Sequence, residues 1–248
     1  MIHQEKFTVR SYEIDVQGVA SVPAICNYLQ EVAGNHATEL GVAVDHLFRK
    51  NMTWVLSRLH IQVFRFPFWR EEIKIETWPS GRQSKFATRD FLIFDQKHRI
   101  LVRATSSWMI LDLKTQKPIV MPAFMDEIRL PDRKRAIDDD FPKINFPENP
   151  TLERRFDVRL SDLDINQHVN NVKYIEWAIE SVPLDIWKEK ILSELEISFR
   201  AETKYGERII IKTEQNDDVF LHHIISDPDQ HDLALVKSTW RGKYGIQK

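Results

Sequence analysis

Apolar and polar residues alternate along this chain in a way that sorts most of it into strands, broken by long helical stretches. Residues 7–14 have strand character. A helical pattern follows, in which Val22, Ile25, Leu29, Val32 and Leu40 recur on one face and Ser21 is placed as N-cap. Over residues 54–66, Leu59, Ile61 and Val63 alternate with Arg58, His60 and Gln62. Over 72–78, Ile73, Ile75 and Thr77 share a side, and residues 86–94 and 102–111 complete the set. One strand, a long helix and four further strands predict an antiparallel sheet packed on a helix, an α+β arrangement.

Residues 123–150 break the pattern. They carry Pro131, Pro142, Pro147 and Pro150 and charge runs from Asp132 to Arg135 and from Asp138 to Asp140. This reads as a linker, longer than a usual connection within a domain. The pattern then starts again. Phe156-Asp-Val-Arg159 restates Phe7-Thr-Val-Arg10, and at the same offset Asp164 falls on Asp15, Asn170 on Ser21 and Glu180 on Glu31. At a slightly smaller offset Leu195, Ile197, Glu207 and Thr213 fall on Leu59, Ile61, Glu71 and Thr77, and Ser238-x-Trp240 repeats Ser106-x-Trp108. Matches in one order and one element sequence predict a duplicated unit: a first copy over 1–122, a linker over 123–150 and a second copy over 151–248.

Composition narrows the function classes. Of 248 residues, 35 are basic and 37 acidic, a net charge of −2 that gives no global bias toward nucleic acid or membrane. No apolar run approaches the ~20 residues that span a bilayer. The first residues lack an apolar signal core, and the expectation is a cytoplasmic protein. A single cysteine, Cys26, excludes an internal disulfide and a cysteine-built zinc site. Neither GxGxxG nor a Walker pattern occurs.

The candidate chemistry lies in Asp164-Ile-Asn-Gln-His168-Val-Asn-Asn171. If extended, this stretch sends Asp164, Asn166 and His168 to one side, just before a helix start. His168 is the candidate general base. Asn166 offers an amide to an oxygen that gains charge, or orients His168. Asp164 has Asp15 as its counterpart, which favours an orienting role. Asn170 aligns with Ser21 and reads as an N-cap. The first copy has Gln17 and Val19 where the second has Asn166 and His168, and Phe66 where the second has Glu202. Strand alternation puts Glu202 on a polar face with Glu196, Ser198 and Arg200. A solvated glutamate is one reading, and a strand end or bulge that turns it into the site is the other. Trp54, Trp69, Trp78 and Trp108 are expected in the core or an apolar groove. Arg82, Lys85 and Arg89 are expected on a solvated face. His222 and His223 point to opposite sides of a strand. One polar and one apolar copy suit a ligand with a reactive head and an apolar tail.

Residues 162–177, Asp-Leu-Asp-Ile-Asn-Gln-His-Val-Asn-Asn-Val-Lys-Tyr-Ile-x-Trp, resemble the fatty acyl-acyl carrier protein thioesterases of plants and bacteria. Phe7-x-Val-Arg-Ser-Tyr-Glu-Ile14, Leu29-Gln-Glu31, Asn35-His36, Trp54-Val55 and Ser106-Ser-Trp108-x-Ile110 resemble that family's N-terminal half. The resemblance implies a tandem double-hotdog fold, each unit a long helix wrapped by an antiparallel sheet. It also implies hydrolysis of a fatty acyl thioester on acyl carrier protein. The first hotdog would hold the acyl chain and the second would carry the catalytic set Asp164, Asn166, His168 and Glu202. No metal or organic cofactor, nucleic acid or membrane is implied, and a monomer or homodimer is expected. The family's aromatic-Arg-x-Glu-Cys segment maps onto Phe199-Arg-Ala-Glu-Thr203, so its cysteine is a threonine here. The implied nucleophile is then an activated water. A thioesterase acting on acyl-coenzyme A and a non-hydrolytic acyl-binding protein are the alternatives.

Overall fold

The computed structural model describes residues 1–243; residues 244–248, the end of the expected second copy, lie outside the described residues. The chain divides into two compact units, 1–140 and 141–248, with the boundary inside the stretch read as a linker.

The first unit begins with β1 (His3–Thr8), which lies earlier than the strand expected over residues 7–14 and shares only two residues with it, because the chain turns after Val9. Helix α1 (Val22–Glu39) follows the turn. The Ser21 hydroxyl accepts the Ala24 N–H at 3.2 Å, which satisfies one of the free donors at the helix start. Ile25, Leu29, Val32 and His36 form its buried face. A short helix α2 (Val44–Phe48) leads to the strands β2 (Met52–Val63), β3 (Glu72–Gln83), β4 (Phe86–Phe94) and β5 (Ile100–Asp112), with a two-residue β6 (Lys117–Pro118) on β5. The spatial order β1-β3-β4-β5-β2 is antiparallel throughout. Ile61, Ile73, Ile75 and Ile93, all fully buried, line its core.

The second unit repeats this plan with β7 (Leu152–Asp157), α3 (Asn171–Glu180), α4 (Leu184–Glu189), β8 (Lys190–Phe199), β9 (Arg208–Asn216), β10 (Val219–Asp227) and β11 (Asp232–Gly242), in the order β8-β11-β10-β9-β7. Corresponding residues pair: Phe7 with Ile73 in the first unit, Phe156 with Ile209 in the second. Even the bulges match. Ser57 is the extra residue between β2 and β5, and Ser193 the extra residue between β8 and β11.

The stretch over 123–150 is folded onto the units. Residues Ala123–Glu127 form a turn of 3-10 helix that buries Met125 against Val42, Leu47 and Ile110. Arg82 donates to the carbonyls of Met125 and Ile128, so it clamps this segment and does not form the solvated face its sequence context predicts. Further on, Arg133 pairs with Glu76 at 2.8 Å and lies 4.1 Å over the Trp78 ring, and the Ala136 N–H donates to Asp90 at 3.0 Å. Past the boundary, the N–H groups of Glu148 and Asn149 donate to Glu214.

Two further expectations are corrected. Trp69 is 47 % exposed, with Arg70 stacked on its ring, whereas Trp78 is fully buried in the core. Arg89 turns inward and donates to His36 Nδ1 at 2.9 Å and to Thr77 Oγ1 at 3.2 Å; burial lowers its pKa to about 10.

Candidate active site

Asp164 to His168 is a tight turn, and the extended face predicted from alternation does not form. Asp164 Oδ1 accepts the N–H of Asn166 at 2.8 Å and that of His168 at 3.3 Å. The Asp164 N–H donates to the His168 carbonyl at 2.8 Å, and the Gln167 N–H to the Asp164 carbonyl at 3.0 Å. A short carboxylate that reaches the backbone two residues on competes with strand pairing and closes such a turn. Gln167 accordingly has a φ of +64°. Asp164 is therefore engaged with backbone on the inside of the turn. Asn166 is exposed, its Nδ2 donating to Asp164 Oδ2 at 3.4 Å.

The turn is tied at both ends. A bridge joins Leu163 to Val169, and the Asn170 N–H donates to the Asp162 carbonyl at 2.9 Å. Asn170 then caps α3 as expected, its side chain accepting the Val172 N–H at 2.9 Å. His168 thus sits between an aspartate-closed turn and a capped helix start.

Glu202 reaches the turn because β8 stops early. The N–H groups of Arg200 and Ala201 both donate to the Leu233 carbonyl, at 2.9 and 3.3 Å, so the chain slips out of the ladder after Phe199. Glu202 leaves the polar strand face, and its Oε2 lies 3.0 Å from His168 Nδ1. The strand ends before Glu202, as the second reading of this glutamate requires. Its side chain is 51 % exposed and that of His168 34 %. Beside Glu202 opens a cleft of about 720 Å³, lined also by Arg208, Asp227, Asp229 and His231.

Thr203, at the position of the family's cysteine, is 1 % exposed. Its hydroxyl donates to Glu207 at 2.5 Å and its N–H donates to the Tyr174 hydroxyl at 3.1 Å. Both polar groups are committed to structure. His222 is a core residue: it is fully buried, its Nδ1 lies 3.1 Å from Ser181 Oγ and 2.9 Å from Thr213 Oγ1, and its Nε2 lies 3.0 Å from Ser238 Oγ. Burial lowers its pKa to about 3.

Tyr174 is the site neighbour that pattern reading passes over. It aligns with Ile25 at the offset that pairs His168 with Val19, so the signal is present in the repeat.

The arrangement defines a class: two α+β hotdog units in one chain, with an imidazole–carboxylate pair at the turn before the second unit's helix. Comparison with known proteins narrows it. The model of the acyl-ACP thioesterase N-terminal domain matches residues 1–129, and that of the acyl-ACP thioesterase C-terminal domain matches residues 147–242. The chain belongs to the acyl-ACP thioesterase family. It is 31% identical over 260 residues to the acyl-[acyl-carrier-protein] hydrolase FATB3, chloroplastic, of Cuphea viscosissima, covering 97% of this chain and 62% of the relative. It is 29% identical to the oleoyl-acyl carrier protein thioesterase 2, chloroplastic, of Arabidopsis thaliana, covering 97% of this chain and 77% of the relative. The chain spans 62 to 66% of the length of the first four curated relatives it matches. Among solved structures, the 12:0-ACP thioesterase from Umbellularia californica superposes with a TM-score of 0.88 at 25% identity, covering 98% of both chains. An acyl-ACP thioesterase from Bacteroides thetaiotaomicron shares the fold with a TM-score of 0.88 at 24% identity, covering 97% of this chain and 98% of that one.

Proposed function

We propose that this protein hydrolyses the thioester between a fatty acyl chain and acyl carrier protein, releasing free fatty acid and ending chain elongation. The observation that carries the reading is the 3.0 Å contact between His168 Nδ1 and Glu202 Oε2 at a turn with an exposed asparagine. A carboxylate on one imidazole nitrogen fixes the ring and leaves its other nitrogen to take a proton, which makes the pair a competent base. Membership of the acyl-ACP thioesterase family supports the choice of substrate.

Water is the nucleophile in this reading. Glu202 and His168 hold it and take its proton as its oxygen bonds to the acyl carbon. The Asn166 amide stabilises the oxyanion that forms, aided by the positive end of the α3 dipole. Collapse breaks the carbon–sulfur bond, and the proton passes to the departing thiolate of the carrier's arm. Asp164 holds the turn. Direct attack by water is favoured because Thr203 is buried and its hydroxyl already donates to Glu207. The first unit receives the acyl tail: it offers Val19 and Phe66 where the second offers His168 and Glu202.

The test is fatty acid release from acyl-acyl carrier protein and from acyl-coenzyme A at equal concentration. The expected result is turnover of the carrier-bound thioester with kcat/KM at least about tenfold higher. Preference for the coenzyme A thioester would move the activity to that substrate. Tight acyl binding without turnover of either would make the protein an acyl-binding module.

A further inference from the structure

We infer that Tyr174 is a positioning residue: its hydroxyl holds the backbone of the loop that carries Glu202 and so sets the Glu202–His168 pair. This rests on the hydrolytic role proposed above and adds to it a residue that never meets the substrate.

The contact is a single hydrogen bond. The Thr203 N–H, one residue past Glu202, donates to the Tyr174 hydroxyl at 3.1 Å. Tyr174 is 2 % exposed and its ring is wedged edge-on against Trp177 and Phe199, with centroids 5.6 and 5.8 Å apart. An oxygen at the end of a ring locked on both sides is a rigid acceptor. The loop needs one. After Phe199 the ladder is lost, and the backbone from Glu202 to Thr203 is held by the Thr203 N–H and by its carbonyl, which accepts the Val169 N–H at 3.1 Å. Those two bonds tie the loop to α3 and to the residue after His168. Together they fix both members of the pair relative to each other.

The first unit supplies the control. Its residue at the Thr203 position is Pro67, which has no N–H, and its residue at the Tyr174 position is Ile25, which has no hydroxyl. The other tie is kept: the Ala20 N–H donates to the Pro67 carbonyl at 2.8 Å, as the Val169 N–H does to Thr203. Donor and acceptor are both missing from the copy in which Val19 and Phe66 replace His168 and Glu202. The bond is therefore confined to the unit that carries the His168–Glu202 pair. Burial first, and then the nearby carboxylates of Glu202, Glu207 and Asp164, raise the Tyr174 pKa against the opposing Thr203 N–H, so the phenol stays neutral and accepts the bond without adding charge.

The test is a double-mutant cycle in fatty acid release from acyl-acyl carrier protein, with wild type, Tyr174→Phe, Glu202→Gln and the double variant. Tyr174→Phe keeps the ring packing and removes the acceptor. The inference predicts a kcat about tenfold lower with KM within about twofold, and less than about twofold further loss when Tyr174→Phe is added to Glu202→Gln. Placing 3-fluorotyrosine at 174, which keeps the hydroxyl but weakens its oxygen as acceptor, should give an intermediate kcat and serves should Tyr174→Phe fold poorly. An unchanged kcat, or the same loss in both backgrounds, overturns the inference. A wild type that hydrolyses neither thioester refutes the hydrolytic reading instead, a result these variants do not mimic.

Discussion

The turns at residues 13–21 and 162–170 have the same backbone and carry different chemistry. Asp15 Oδ1 accepts the Gln17 N–H at 2.8 Å as Asp164 Oδ1 accepts that of Asn166, and the Asp15 N–H donates to the Val19 carbonyl as that of Asp164 does to His168, both at 2.8 Å. Gly18 has a φ of +75° and Gln167 a φ of +64°. The Arg10 N–H donates to Glu13 at 2.7 Å and the Arg159 N–H to Asp162 at 2.8 Å. The aspartate is therefore what the fold requires of this turn. What distinguishes the second copy is a short list of substitutions on that fixed frame: Gln17 by Asn166, Val19 by His168, Ile25 by Tyr174, Phe66 by Glu202 and Pro67 by Thr203. The frame tolerates these exchanges, since none of the five side chains closes the turn.

The comparison breaks first at the two aspartates. Asp164→Ala should lower kcat/KM about a hundredfold, because it frees the backbone of both Asn166 and His168. Asp15→Ala should leave kcat within about threefold. Both should destabilise by about 1–2 kcal/mol in denaturant titration, and unequal stability losses would show that the turns are not equivalent scaffolds.

The units also share a buried neutral histidine in different settings. Burial lowers His36, with Arg89 adding to the effect, and lowers His222, each to about 3. Their folded pKa lies below the unfolded value of about 6.5, so the unfolded chain binds the proton first. The contribution is fully present above pH 6.5 and is lost as pH falls toward 3, by up to about 1.4 kcal/mol per pH unit for each histidine. The register places Phe91 opposite Thr77 where His222 is opposite Thr213, so His222→Phe installs the first unit's residue. It should flatten the acid limb of stability measured by urea unfolding between pH 4 and 6.5, with His36 supplying what remains.

The helix starts should respond alike. Ser21→Ala and Asn170→Ala each remove a capping acceptor and should cost about 1 kcal/mol, read as a shift in the urea midpoint. The smallest effect falls on the family's cysteine position. Thr203→Ala removes the hydroxyl that donates to Glu207 and should still leave kcat within about threefold, because that hydroxyl attacks nothing.

Much of this was legible in the sequence because the duplicated unit repeats its polar contacts at nearly constant offsets. The repeated element order, both N-caps and the shared aspartate follow from aligning the chain with itself. What was not legible depends on which partner each polar group captures, and spacing alone does not show that. Strand alternation around Glu202 gives no hint that the Leu233 carbonyl takes two successive N–H groups and ends β8. The turn at Asp164 looked extended because residue spacing does not reveal which backbone donors a carboxylate will capture. Arg89 looked solvated because its acceptors, His36 and Thr77, come from a helix and a strand well before it. Residues 123–150 looked like a free linker because proline and charge hide the buried Met125, Ile128, Ile137 and Ile144.

The central claim is that hydrolysis belongs to the second turn and its glutamate. Single-turnover release of fatty acid from acyl-acyl carrier protein by wild type, His168→Ala and Glu202→Gln tests it most directly. The account predicts rates reduced about a hundredfold or more in each variant, with acyl-carrier binding retained. Wild-type rates in either variant would contradict it.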